Sequence, residues 1–349
     1  MAPTVCFVSF RLGHADGVSV ESAKWARVFR TLGFRTSTVA GAGEADQVVP
    51  GLAIDAGAPP TPDELDAALA DADLVVVENV CSLPLNRPAA EVLADRLRGR
   101  PAVLHHHDFP WQQEGGPEAD EVDGVPPDDP KWVHVTINWL SQKQLADKGI
   151  EAMTIPNCFD TEDPGGDRDA TRARLGIAPD ERLVVQPTRA IPRKNVPAAV
   201  QLARAVGAAY WLVGPAEDGY GAEVDRLLAA AEVRVIEGLP DGVGMPDAYA
   251  AADAVALPSR WEGFGNPTIE SAIHRRPLAV GRYPVAREIA AYGFRWFPAD
   301  EPAALRNWLD APDPRVLDVN QAIARRHFSM ASLEQRLAKL VHDAGWAVA

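Results

Sequence analysis

The sequence predicts an α/β protein with two doubly wound domains, each built on a parallel sheet. Three observations carry that prediction. The chain has 349 residues, enough for two domains of ordinary size. Short continuous apolar runs, the pattern of strands buried on both faces, alternate with longer amphipathic stretches. Such alternation implies parallel strands joined by right-handed crossovers. A run rich in Asp, Gly and Pro up to Asp169 interrupts the pattern and marks a domain boundary. The expected domains are residues 1–155 and 156–330.

In the first domain a strand is expected over Val5 to Phe10, followed by a loop from Arg11 to Asp16 and then Gly17. A helix from about Ser19 to Leu32 follows, closed by Gly33. The loop lacks Gly-x-Gly-x-x-Gly, so dinucleotide binding is not indicated. Gly41-Ala42-Gly43 has no third glycine and reads as a plain turn. Leu74 to Val77 is a buried strand. Glu78 and Asn79 lie at its carboxyl end, where open sheets bind ligands; they read equally as ligand contacts and as loop polars. Ala102 to His106 is the next strand and runs into His107. Alternation along a strand lets at most two of the three consecutive histidines converge, so no metal is expected there. Residues 114–129 are acid-, Gly- and Pro-rich and read as a lid or as a solvated loop. Val133 to Ile137 returns to strand, and Ser141 to Lys148 to helix.

The second domain repeats the pattern. Strands are expected at Leu183 to Gln186, Tyr210 to Val213, Arg234 to Ile236, Ala254 to Leu257 and Leu278 to Val280. Helices lie between them, and two amphipathic helices close the chain, Val319 to His327 and Ser332 to Ala344. The fourth strand leads into Arg260-Trp261-Glu262-Gly263-Phe264-Gly265-Asn266-Pro267-Thr268-Ile269-Glu270. Gly263 and Gly265 permit a tight loop. Asn266 is a good N-cap, and Pro267 suits the first helical position. Loop amides and helix dipole together form a seat for an anion such as a diphosphate. Glu262 and Glu270 bracket that seat. Carboxylates repel phosphate, so sugar hydroxyls are their natural partners. A ligand with a diphosphate between two hydroxylated ends is a nucleotide sugar.

Glu262 through Glu270 resembles the Glu-x7-Glu motif of retaining GT-B glycosyltransferases, the large GT4-like group 1 family. Further segments share the resemblance. Thr188-Arg189-Ala190-Ile191-Pro192-Arg193-Lys194-Asn195 resembles the family's Gly-Arg…Lys-Gly loop, with Thr188 and Asn195 in place of both glycines. Ile155-Pro156-Asn157-Cys158-Phe159-Asp160 resembles its hinge signature, with Cys158 in place of glycine. Glu237-Gly238-Leu239 through Met245, then Ala248 to Asp253, resembles its base-binding segment.

The resemblance implies a GT-B fold, two Rossmann-like domains facing across a cleft, with the last helix, 331–349, packing back on the first domain. It implies transfer of a hexose from a nucleoside-diphosphate sugar to a hydroxyl of a small-molecule or glycan acceptor, with retention and without a metal or other cofactor. Arg189, Lys194 and the amides around Gly263, Phe264, Gly265 and Asn266 would receive the diphosphate, with Arg193 assisting. Glu270 would hold the ribose, and Glu262 and His107 the transferred sugar. Gly17 alone carries over from the family's first glycine pair, because Asp16 replaces its partner. Asp71-Ala72-Asp73 precedes its strand, unlike the metal-binding Asp-x-Asp of some glycosyltransferases, and reads as a helix end. Another GT-B nucleotide-sugar enzyme, an epimerase or a sugar-phosphate synthase, stays open, as does an inactive nucleotide-sugar-binding subunit.

Composition narrows the partners. With 34 basic and 49 acidic residues the net charge is −15, which argues against nucleic acid. Cys6, Cys81 and Cys158 are odd in number and widely spaced, so neither a disulfide framework nor a zinc site is suggested. No signal peptide and no apolar run of spanning length are seen, and a cytoplasmic location is expected.

Overall fold

The computed structural model describes residues 2–13, 16–112, 116, 122–162 and 164–346. Much of the acid-rich 114–129 loop, residues 114–115 and 117–121, lies outside them. The chain divides into two compact units. Unit 1 is Met1–Cys158 with Met330–Ala349, and unit 2 is Phe159–Ser329.

Unit 1 runs β1 (Thr4–Leu12), α1 (Gly17–Thr31), β2 (Arg35–Gly43), β3 (Gln47–Val48), α2 (Pro62–Ala68), β4 (Leu74–Glu78), α3 (Arg87–Leu97), β5 (Ala102–His106), β6 (Trp132–Thr136), α4 (Trp139–Asp147) and β7 (Ala152–Thr154). Its seven strands pair in parallel in the order β3-β2-β1-β4-β5-β6-β7. Every residue of β4 and β5 is buried, as continuous apolar strands covered on both faces require.

Unit 2 runs α5 (Arg168–Leu175), β8 (Arg182–Gln186), α6 (Val196–Val206), β9 (Ala208–Leu212), α7 (Gly221–Ala229), β10 (Val235–Glu237), α8 (Met245–Ala251), β11 (Ala254–Leu257), α9 (Pro267–Ile273), β12 (Leu278–Val280), α10 (Pro284–Ala290), β13 (Phe297–Pro298), α11 (Pro302–Asp310) and α12 (Pro314–His327). Its parallel sheet has the order β10-β9-β8-β11-β12-β13. The final helix, α13 (Met330–Asp343), belongs to unit 1. There Leu333, Leu337 and Leu340 join the core around Trp25 and Phe29 of α1.

Each sheet reverses its strand order once, between β1 and β4 in unit 1 and between β8 and β11 in unit 2. The carboxyl ends of strands flanking such a switch point are where open α/β sheets hold ligands. The Thr188 to Asn195 loop follows β8 and the Glu262 loop follows β11, so the two loops are neighbours at one switch point.

Three local expectations need correction. Gly41-Ala42-Gly43 is not a turn but the end of β2. A side chain at Gly41 would lie 2.0 Å from the Ala53 backbone nitrogen, so the glycine serves a close approach of two backbone segments. Asn266 does not cap α9 with its side chain; it already has helical angles, φ −43 and ψ −39. Its carbonyl instead accepts from Glu270 N at 3.0 Å. The helix expected to start at Val319 begins at Pro314, capped by Asp313 through the Arg315 amide.

Candidate active site

In unit 2, Gly265 sits at φ +88, a region that favours glycine. A side chain there would meet the Tyr283 hydroxyl at 2.4 Å. The sharp loop folds Glu262 inward, and its carboxylate is 4% exposed. Arg193 Nη1 donates to Glu262 Oε2 at 2.6 Å, Ser259 Oγ donates to Oε1 at 2.6 Å, and Lys194 Nζ donates to the same Oε1. Both oxygens are therefore engaged. Burial works to raise the Glu262 pKa, but Lys194 and Arg193 outweigh it and hold the carboxyl below its ordinary value. Burial likewise lowers the pKa of Lys194, against the pull of Glu262. The sequence reading kept these cations and this carboxylate apart; the structure joins them into one buried cluster.

The loop carrying the cations explains its own departures from glycine. Asn195 takes φ 55, the left-handed region that Asn tolerates better than most residues. Thr188 O lies 2.6 Å from where a side chain at Gly214 would stand, so the glycine that this crowding demands is on the neighbouring β9 loop instead. Arg189 stands apart from Glu262, half-exposed and paired with Glu217 at 2.5 Å.

Glu270 lies in α9 and accepts a hydrogen bond from Tyr249 Oη at 2.5 Å. Tyr249 is a fully buried residue of α8. Beyond β9 and β10, Leu212, Gly214, Glu237, Gly238 and Leu239 help to line a cavity of about 360 Å³. It includes the start of the segment expected to hold a base. Sequence reasoning missed Ser259 and Tyr283, and it placed Tyr249 in the base-binding segment without singling it out. A tyrosine in an alanine-rich helix carries no local signal, whereas Ser259 was visible as the last residue before the motif.

In unit 1, Gly17 opens α1, and a side chain there would meet nothing within 4 Å. Asp16 accepts from the amides of Val18 and Ser19 at 3.1 and 3.0 Å, so the residue that departs from the family pattern is the helix cap. The histidines alternate as expected. His106 faces one side, meeting Ser82 Oγ at 2.6 Å and His134 Nδ1 at 2.9 Å. His105 and His107 face the other, where Glu78 Oε2 accepts from His105 Nδ1 at 2.9 Å and His107 Nε2 at 2.8 Å. Glu78 is 0% exposed and ends β4, so it is neither a solvated loop polar nor open to direct ligand contact in this arrangement. Burial pushes its pKa up, yet the two histidines bring it down to about 2. Among the described residues, Glu78, His105 and His107 are the one His/Cys/Asp/Glu group close enough to hold a metal. Here both facing nitrogens serve one oxygen as hydrogen-bond donors.

Cys158, in place of the hinge glycine, is buried and within the ordinary range of φ. Its thiol faces Arg336 Nη1 at 3.5 Å, so a side chain here fills core space rather than straining a turn.

The wider likeness agrees with this geometry. Residues 167–310 match the family model "Glycosyl transferases group 1". The chain is 27% identical to the mannosylglucosylglycerate synthase of Petrotoga mobilis, over 82% of this chain and 84% of the relative. It is 32% identical to the D-inositol 3-phosphate glycosyltransferase of Segniliparus rotundus, over 50% and 45%. In fold it is similar to Anabaena Alr3699/HepE in complex with UDP-glucose, with a TM-score of 0.74 at 19% identity, covering 97% and 99% of the two chains. It is also similar to sucrose-phosphate synthase from Thermosynechococcus elongatus, with a TM-score of 0.75 at 15% identity over 99% and 100%.

Two parallel α/β units with this likeness define a GT-B protein. The segment that matches the group 1 glycosyltransferase family, residues 167–310, lies on the unit that holds Glu262. No helix among the described residues is long and apolar enough to cross a membrane.

Proposed function

We propose that the protein transfers a hexose from a nucleoside-diphosphate sugar to a hydroxyl acceptor, with retention of anomeric configuration and without a metal ion. The observation that carries this reading is the buried Lys194–Glu262–Arg193 cluster beside the glycine loop at the switch point of unit 2.

Without a donor, the two cations neutralise Glu262. An arriving diphosphate competes for Lys194 and Arg193, and Arg189 and the amides of Gly263 to Asn266 add to its seat. Glu262 then needs other donors, and the hydroxyls of the transferred sugar supply them. Cations and carboxylate thus exchange partners together, so the intact nucleotide sugar should bind better than its diphosphate. Glu270, already oriented by Tyr249, receives the ribose hydroxyls, and the base lies against the backbone of Glu237 to Leu239. As the glycosidic bond breaks, charge grows on the diphosphate, where fixed cations stabilise it most. Glu262 is a poor candidate nucleophile, because once the diphosphate draws off Lys194 and Arg193 its oxygens are engaged by the sugar hydroxyls and by Ser259. Front-side attack, with a donor phosphate oxygen taking the acceptor proton, fits that constraint. His107 serves the transferred sugar. The names of the curated relatives point to small polyhydroxylated acceptors that carry an acid group.

Nucleoside-diphosphate hexoses should be incubated with glycerate- and polyol-phosphate-type acceptors in EDTA, and the product anomer read by NMR. A retained anomeric centre in EDTA is the expected result. Activity lost in EDTA and restored by magnesium or manganese would overturn the metal-free reading. An inverted product would overturn retention. Epimerised donor, formed with no acceptor present, would replace transfer altogether.

A further inference from the structure

We propose that Glu78 is a positioning residue for the transfer reaction: its buried carboxylate clamps the ring of His107 and, through the same oxygen, the ring of His105. This deepens the reading of His107 as a group that serves the transferred sugar.

The clamp is built by the sheet. Glu78 is the last residue of β4 and pairs in register with His105 of β5. His107 lies two positions on, so alternation returns its ring to the same face. The rings of His105 and His107 stand 4.4 Å apart between centroids. Trp25 of α1 stacks on His105 at 4.1 Å, so that ring is fixed by packing on one side and by Glu78 at its edge. The backbone of His107 is held as well. Its amide donates to Asn79 Oδ1 at 3.0 Å, and Asn79 Nδ2 donates to Asp108 Oδ1 at 3.0 Å. Asn79 itself takes φ 64 to reach both. Thus Glu78 and Asn79 fix ring and main chain of one histidine from the neighbouring strand end.

A fully buried carboxylate is costly to keep unless its charge is used. One oxygen of Glu78 receives both histidines, while the other, Oε1, has no hydrogen-bond partner among the described residues. The charge is thus directed at the two rings. Four charged or titratable groups face His107: Glu78 from β4, His105 from β5, Glu21 from α1 and Asp108 from its own loop, with His106 on the far side of the strand. Glu21 is itself buried and paired with Lys24 at 2.5 Å. Burial acts to lower the His107 pKa, but Glu78, Asp108 and Glu21 outweigh it and raise it above the ordinary value. His105, more deeply placed, is lowered by its burial. Of the two rings, His107 is therefore the one whose protonated form Glu78 favours.

Glu78→Gln tests this. The amide keeps the shape and can accept from one ring, but it carries no charge. The His107 imidazole should be titrated by NMR in wild type and variant, without substrate, and the pH dependence of kcat measured beside it. In wild type His107 should titrate above 6.5. In Glu78→Gln its midpoint should fall by about 1 to 3 pH units, the effect of removing one close opposite charge. The alkaline limb of kcat should move down with it. A wild-type His107 that titrates at or below its ordinary value overturns the proposal, even if the variant does not fold. A folded variant with an unmoved His107 midpoint also overturns it and leaves the transferase reading intact. So does a moved midpoint with an unmoved kcat profile, since Glu78 would then act on the fold alone. His107→Gln separates the levels. If its kcat equals that of wild type, the assignment of His107 to the sugar fails, and the proposal fails with it.

Discussion

Glu78 in unit 1 and Glu262 in unit 2 are both buried carboxylates close to the switch point of a parallel sheet, and both are held ionised. Their partners differ. Glu262 meets a lysine and an arginine, residue types whose ordinary titration lies far above neutrality. Glu78 meets two imidazoles, whose charge changes within it. Similar placement therefore gives unit 2 an electrostatic arrangement steady around neutrality and gives unit 1 one that responds to pH. The same difference explains what each can do. Fixed cations suit a seat for a diphosphate, whereas a histidine pair suits a group whose proton matters.

The largest effect expected from this contrast is on acid stability. His105, His106 and His134 are all buried and held below the ordinary 6.5, chiefly by that burial. Below that pH the unfolded chain takes up protons that folded unit 1 resists, so stability falls as pH falls. Each such histidine contributes up to about 1.4 kcal/mol per pH unit. His107 has the opposite sign. Its raised pKa adds stability that is present below 6.5 and lost as pH rises through the folded value. Unit 2 has His274, brought down to about 4 mainly by burial. Segment-resolved hydrogen exchange between about pH 7.5 and about pH 5.5 should show β4 to β6 losing protection before β8 to β11. Earlier opening of unit 2 would break the comparison.

Next in size is loss of a fixed cation. Lys194→Ala should lower turnover by ~10²-fold or more, as loss of one preorganised donor does. It also removes one partner of a buried carboxylate, a change that costs about 3–5 kcal/mol when no other partner remains. Arg193 and Ser259 do remain, so the low end is expected in chemical denaturation. Lys194→Met with Glu262→Gln should recover stability and leave turnover low. Unchanged turnover with only a raised donor requirement would mean that Lys194 binds ground and transition states alike.

How much of this was legible in the sequence follows the same division. The unit 2 site is written in one contiguous motif and one loop, Glu262 to Glu270 and Thr188 to Asn195, because strand, turn and helix start are local features. Glycine spacing and charge reported them. The Lys194–Glu262 contact was not legible, since it joins residues 68 apart across neighbouring loops. In unit 1 the histidines were visible and their alternation followed from strand geometry. Their partner Glu78 was noticed only as a strand-end polar, because the pairing of β4 with β5 that brings it to His105 is a tertiary fact. Asn266 failed as a cap for a simpler reason. Its type suits the role, but its backbone is already helical, and type alone does not fix φ and ψ.

A smaller effect separates the two glutamates of the motif. Glu270→Ala should weaken the bare nucleoside diphosphate by about 1.5–3 kcal/mol, the range for losing a hydrogen bond to a charged group. Glu262→Gln should tighten that ligand, because no carboxylate then competes for Lys194 and Arg193, and should weaken the intact nucleotide sugar relative to it. Calorimetric titration of both variants with both ligands checks this, and the reverse pattern would exchange their roles. If neither variant loses either ligand, the motif is only a turn.

The smallest effect concerns Tyr283, the control that removes a group beside Glu262 without touching its charge partners. The ring is buried, and its pKa is raised well above the ordinary value by burial first and by Glu262 second. Its hydroxyl has no hydrogen-bond partner among the described residues. Removing a buried polar group that has no partner sacrifices no bond. Tyr283→Phe should therefore stay within about 1 kcal/mol of wild type in denaturant unfolding and should leave turnover near its starting value. The same hydroxyl lies 2.4 Å from where a side chain at Gly265 would stand. Gly265→Ala should thus destabilise through two separable causes, that collision and the φ of +88. Tyr283→Phe relieves the first, so Gly265→Ala should cost less in the Tyr283→Phe background than in wild type. The remainder, about 1–2 kcal/mol, is the penalty of a left-handed residue with a side chain. Strictly additive costs would show that Gly265 is required for its backbone angle alone.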